Sequence, residues 1–168
     1  MEQRIATTES LYRGQVAWVD TDAGGRIHHT AAFRWAEIAE HSLFRRIRPG
    51  FEAAVFPRRS VEATYHSTLA FDDEFEALLW VGSVGRTSVT FVWEVHSGGV
   101  VCVKGRHTAV HVDAGGKPAP LPAWLRKGLE EGAHQVASAQ ESESSDYAPD
   151  DPGGRGPDAP DEFTEAVT

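Results

Sequence analysis

Residues 19–41 read Val19-Asp20-Thr21-Asp22-Ala23-Gly24-Gly25-Arg26-Ile27-His28-His29-Thr30-Ala31-Ala32-Phe33-Arg34-Trp35-Ala36-Glu37-Ile38-Ala39-Glu40-His41. The stretch has two parts. Asp20 to Arg26 is dense in turn formers, and Gly24-Gly25 permits positive φ, so a tight loop is expected there. From Thr30 the chain runs to Arg48 without proline or glycine, and Pro49-Gly50 stops it. Ala32, Ala36, Ala39, Leu43 and Ile47 step by four, three, four and four, which is helical spacing. Phe33, Trp35, Ile38 and Phe44 occupy other faces, so the pattern predicts a long helix surrounded by the rest of the fold.

On either side the period falls to two. Gln15 to Asp20 reads as a strand leading into the loop. After Pro57, the residues Val61, Ala63, Tyr65, Ser67 and Leu69 alternate with Glu62, Thr64, His66 and Thr68. Phe75 to Val81, Val89 to Val95 and Val100 to Val112 give three more runs, with Gly105 expected as a bulge. The joints Phe71-Asp72-Asp73, Gly85-Arg86 and Ser97-Gly98-Gly99 have hairpin length, which predicts sequential antiparallel strands. Ala123 to Val136 reads as a short final helix. The expected class is α+β, one antiparallel sheet of about five strands curled around one long helix. The other sheet face is then wet or paired with a second subunit, and edge strands of this kind commonly pair across a dimer axis.

The chain has 168 residues and a formal charge of −9. Residues 138–168 hold nine acids against one base, or −8, whereas residues 1–137 hold sixteen acids against fifteen bases, or −1. The acidity therefore belongs to the last segment, which is rich in Ser, Asp, Glu, Pro and Gly. It is expected to be a disordered acidic tail. Residues 1–9 are expected to be flexible, leaving 10–137 as one domain. A near-neutral domain lacks the basic footprint of a nucleic-acid binder. No apolar run approaches the roughly 20 residues of a membrane span. The single cysteine, Cys102, rules out an intrachain disulfide. With no apolar signal segment at the start, a cytoplasmic location is expected.

The chemistry concentrates between the first strand and the helix. Free backbone N–H groups at a helix start near His29 suit a developing oxyanion, and Asp22 can fold back beside them. A carboxylate next to an oxyanion donor is the minimum apparatus for attack on an activated acyl group, directly or through water. The plain alternative is that Asp20 and Asp22 are turn residues, one of them capping the helix. Asp-x-Asp-x-Gly lacks the remaining EF-hand ligands, and adjacent His28-His29 is poor zinc spacing, so no metal is expected. Gly-x-Ser-x-Gly and Walker loops are absent. Cys102 lies mid-strand among valines, the setting of a buried structural cysteine.

The run from Val19 to His41 resembles the signature of hotdog-fold acyl-CoA thioesterases. It is most similar to the 4-hydroxybenzoyl-CoA thioesterase type and its branch linked to the bacterial Tol–Pal system. The matching residues are Asp20, Asp22, Gly25, Ile27-His28-His29, Phe33, Trp35 and Glu37, followed by Tyr65, Phe71 to Glu74, Val84 to Ser88, Gly105-Arg106, Lys117-Pro118 and Leu121-Pro122. The resemblance covers about residues 12–130. It implies a hotdog fold and hydrolysis of an acyl-CoA or acyl-carrier-protein thioester, with coenzyme A as part of the substrate and no separate cofactor. It implies Asp22 as nucleophile or general base, the His29 N–H as the group polarising the carbonyl, and Glu37 as a group that orients the site or holds the loop. Substrate contacts would fall to His28, Arg86, Ser88 and Arg106, the arginines on the CoA phosphates. It further implies a homodimer or homotetramer with sites at the interface.

Three departures from the family pattern stand out. Ala31-Ala32 replaces an Asn/Ser-Tyr pair, His28 replaces an aromatic, and Glu40 stands where an arginine is common, with the expected loss of a surface ion pair. Two other classes compete with thioester hydrolysis. One is a hotdog enoyl-thioester hydratase or dehydratase; the other is a non-catalytic acyl-CoA-binding module.

Overall fold

The computed structural model describes residues 9–50 and 56–131. Residues 1–8 of the expected flexible start, the end of the domain from residue 132 and the acidic tail lie outside the described residues, whereas Glu9, also expected to be flexible, opens the first strand. Five strands form one sheet: β1 (Glu9–Gln15), β2 (Arg58–Tyr65), β3 (Glu74–Val84), β4 (Ser88–Ser97) and β5 (Val100–Val110). Their order is β1-β3-β4-β5-β2, and every pairing is antiparallel. The helix α1 (Ala31–Ile47) packs against this sheet, and residues 123–131 are helical as well. This is the α+β hotdog layout.

The helix forms where its spacing predicts. Thr30 is its N-cap and Arg48 its C-cap. It buries Ala32, Trp35, Ala36, Ala39, Leu43 and Phe44 against the inner sheet face, where Phe75, Leu79, Phe91, Trp93 and Val103 meet it. Each large side chain so buried contributes roughly 1.5–3 kcal/mol. Trp35 stacks on Phe75 with centroids 3.8 Å apart, and Phe44 meets Phe91 edge-on at 5.9 Å. The sheet wraps the buried face of the helix and residues 123–131 pack near its C-terminal end, while Arg34, Glu37 and Ile38 are exposed.

Three expectations are corrected. The first strand is Glu9–Gln15, and Trp18–Asp20 is a 3-10 turn instead of strand. Trp18 and Val19 point into solvent there, so their apolar character carries no strand signal. The joint at Phe71-Asp72-Asp73 is no hairpin, because β2 pairs with β5 at the far edge and the chain crosses over to reach β3. Gly105 is not a bulge: the irregularities fall at Arg58/Ser60, Val81/Ser83 and Val95/His96. Gly105 leaves room for Trp93, whose Cζ2 would lie 2.1 Å from an added Cβ.

Candidate active site

The loop before α1 is a small closed hairpin. Thr21 bridges Ile27, the Asp22 N–H donates to the Arg26 carbonyl at 2.8 Å, and Gly25, at φ 70°, donates to the Asp22 carbonyl at 3.0 Å. Two further bonds tie the loop down: His28 N–H to the Asp20 carbonyl at 2.7 Å, and Ile27 N–H to the Leu69 carbonyl at 2.9 Å. Asp20 and Asp22 then diverge. Asp20 is 7% exposed. It accepts the Ala17 N–H at 3.1 Å and the Arg34 guanidinium at 2.5 Å, which clamps the loop to the second turn of α1. Asp22 is exposed at the loop tip and accepts the Gly24 N–H at 2.8 Å. The turn-residue reading therefore describes the local bonding of both, but neither caps α1.

The helix entrance is open. The Ala31 N–H is spent on the His28 carbonyl at 2.8 Å. The Thr30 N–H reaches His28 Nδ1 at 3.3 Å, and the Thr30 hydroxyl meets the same nitrogen at 2.8 Å. His28 is thus a cap for the entrance, its ring 4.2 Å from that of His29. Among the described residues none accepts the His29 N–H. The His29 carbonyl accepts the Tyr65 hydroxyl, which ties the entrance to the end of β2. Burial pushes the Tyr65 phenol above its ordinary range, so it remains a donor at neutral pH.

A cavity of about 450 Å³ opens beside this entrance, walled by His29, Phe33, Glu37, Arg58, Val61 and His107 among others. Its floor carries an ionic chain that spacing did not reveal. Glu40 is wholly buried. Arg58 Nη1 donates to its Oε1 at 2.9 Å, and His107 Nε2 donates to its Oε2 at 2.6 Å. Trp93 Nε1, which can only donate, reaches His107 Nδ1 at 3.2 Å and so fixes the ring's proton on Nε2. Arg58 Nη2 lies 2.8 Å from Glu40 Oε2 and 3.2 Å from Glu37 Oε1. Glu40 is therefore a core group with both oxygens satisfied, which corrects the expected surface position. Losing one partner of such a pair costs about 3–5 kcal/mol. Glu37 pairs with Arg58 on β2; the residue that holds the loop is Arg34.

The candidate residues separate accordingly. His29 and Glu37 share the cavity; Asp22, His28, Arg86, Ser88 and Arg106 do not line it in the single chain. Arg86 is exposed at the β3–β4 turn, where its carbonyl accepts the Leu121 N–H at 2.9 Å. Ser88 begins β4 opposite Val110. Arg106 is exposed on the sheet face away from α1, opposite Glu62. A second cavity, about 710 Å³, is lined by Arg13, Glu74, Glu76, His96 and their neighbours and includes no residue of the helix entrance. Among the described residues no group of three His, Cys, Asp or Glu is placed to hold a metal ion. Burial raises the Cys102 thiol above its ordinary range, which disfavours a nucleophilic thiolate.

Arg58, His107 and Glu40 were missed as site residues. The available signal was a pair of interruptions: Glu40 breaks the buried helix face, and His107 breaks the inward positions Val103, Gly105 and Ala109. Two polar breaks on facing surfaces satisfy each other here.

Known proteins agree with this architecture. The description of the Thioesterase-like superfamily matches residues 16–129, more than half of the chain. A predicted thioesterase from Bacillus stearothermophilus superposes with a TM-score of 0.68 at 26% identity, covering 74% of this chain and 96% of that one. A thioesterase from Thermus thermophilus, solved with coenzyme A and Zn, gives 0.68 at 26% identity, with 78% and 96% covered. A curated Aquifex aeolicus (strain VF5) protein named "Putative esterase" is 29% identical over 101 residues, 56% of this chain and 77% of that protein. With that superfamily description spanning most of the chain and the fold matching solved thioesterases, the chain belongs to the thioesterase-like superfamily and is a thioester hydrolase.

Proposed function

We propose that the substrate is an acyl-CoA thioester and that its carbonyl oxygen binds the His29 N–H at the start of α1. The supporting observation is that this amide lacks an acceptor among the described residues, while its neighbours at Thr30 and Ala31 are both engaged by His28. Such a donor, aimed at charge that develops in the transition state, contributes on the order of 3 kcal/mol. Asp22 supplies the attacking carboxylate or deprotonates the attacking water. In the first case its oxygen bonds to the acyl carbon, the CoA thiolate leaves and takes a proton, and water then hydrolyses the anhydride. In the second, water adds directly and Asp22 carries its proton to the departing sulfur.

Asp22 stands exposed in one chain, and so does the β2 edge, with Val61 55% and Tyr65 42% exposed. A second copy pairing along β2 would cover both the edge and the cavity and exclude water from the thioester. The functional unit is accordingly read as a homodimer or a tetramer of such dimers. Arg86 and Arg106 are proposed for the CoA phosphates, with Ser88 near the pantetheine. Motif resemblance supports the 4-hydroxybenzoyl-CoA type and the Tol–Pal-linked branch, and a lone unpaired cysteine fits a cytoplasmic setting. Among the described residues, no helix is long and apolar enough to cross a membrane.

A thiol-release screen over aromatic, short and long acyl-CoAs, with acyl-carrier-protein thioesters alongside, tests the substrate assignment. Turnover of at least one acyl-CoA is expected. Release from carrier-protein thioesters alone would move the substrate to that class, and hydration of enoyl-CoA without thiol release would overturn the reading.

A further inference from the structure

The cavity at the helix entrance has two chemically different ends. The His29 N–H, with no acceptor among the described residues, stands at one. At the other, Arg58 is held between Glu37 and the buried Glu40, with His107 and Trp93 behind it. Phe33 and Val61 supply apolar wall between them. Resting on the reading that the thioester carbonyl binds at His29, we propose that the Arg58–Glu40 clamp is the stop at the far end of the acyl site. The enzyme then takes acyl groups of up to about eight carbons and excludes longer ones.

The length follows from the helix. Thr30, Phe33, Arg34 and Glu37 lie on one face, and from position 30 to 37 the axis rises about 10 Å at 1.5 Å per residue. An extended chain covers about 3.5 Å per three bonds, so the same span holds eight or nine bonds. The stop does not yield as a leucine would. Swinging Arg58 aside takes charge-assisted hydrogen bonds from a carboxylate with no access to water, and an apolar chain end offers no replacement. His107 cannot turn to compensate, because its second nitrogen is occupied by Trp93. The clamp also carries no spare positive charge, since Arg58 faces two carboxylates. It therefore ends the site without recruiting an acyl group that bears its own terminal carboxylate.

The test uses the full-length protein with CoA thioesters of four, eight, twelve and sixteen carbons for turnover. The matching S-alkyl-CoA thioethers, which cannot be hydrolysed, report binding through thermal stabilisation. Both readouts should fall at least tenfold between eight and twelve carbons. The double variant Arg58→Met with Glu40→Gln removes the clamp without leaving a buried charge unpaired. It should raise the twelve-carbon signal relative to the eight-carbon one at least tenfold. A flat wild-type profile from four to sixteen carbons would overturn the proposal, as would an unmoved cut-off in a double variant that melts cooperatively. If the double variant does not fold, the wild-type thioether profile decides alone. A cut-off in thioether binding with no thiol release from any thioester supports the stop and instead overturns the assignment of acyl-CoA as substrate.

Discussion

Asp20 and Asp22 are two residues apart and identical in chemistry, yet their surroundings give them different work. Asp20 is enclosed and bound by Ala17 and Arg34, so it fixes the loop; Asp22 is left at the tip with one oxygen engaged. Replacing Arg34 by Met leaves Asp20 without its cation. Arg34 is itself half-exposed, so water screens part of the loss, and the expected destabilisation is about 1 kcal/mol. Turnover should fall tenfold or more with KM nearly unchanged, because the loop loses its tie to the helix while the cavity keeps its apolar walls. Arg34→Lys should recover part of it. Steady-state kinetics beside a thermal melt separate the two effects. Gly105→Ala tests a different residue-scale statement. The new methyl would overlap the Trp93 ring, and overpacking of this kind costs about 1–3 kcal/mol, readable as a lower urea midpoint with an unchanged slope. The sequence marks Gly105 as special but points to a bulge, because the ring that needs the space comes from another strand.

At the scale of elements, α1 was legible to within a residue at each end, since its spacing and the Pro49-Gly50 stop are local signals. β3, β4 and β5 were legible for the same reason: alternation and two short glycine-bearing turns. β2 was placed wrongly because a connection of hairpin length does not say which edge the next strand joins. The answer lies in the register of Val61, Ala63 and Tyr65 on His107, Gly105 and Val103. That placement leaves β2 as an open edge beside the cavity, and natural edges so exposed are usually covered or paired. Wild-type protein at micromolar concentration should sediment as a dimer or a multiple of one. Val61→Lys, which puts a charge on that edge, should shift it toward the single chain. A wild-type protein that sediments as a monomer would remove the β2 pairing.

At the scale of the whole molecule, a sheet wrapped on one side of a helix leaves the helix start and its free amide facing outward. The proposed site is then assembled around that opening. The open entrance and the loop were readable from residues 19–41. The cavity floor was not, because Glu40, His107 and Arg58 come together only through the packing of α1 on β5 and β2. The most direct measurement is single-turnover thiol release by Asp22→Asn, using the best acyl-CoA found for the wild type. The Asp22 side chain makes one local hydrogen bond and is exposed, so the variant should melt within a degree or two of wild type. The account predicts a loss of at least a hundredfold in the rate of cleavage, with acyl-CoA still bound. A folded Asp22→Asn enzyme within about threefold of wild type would contradict it.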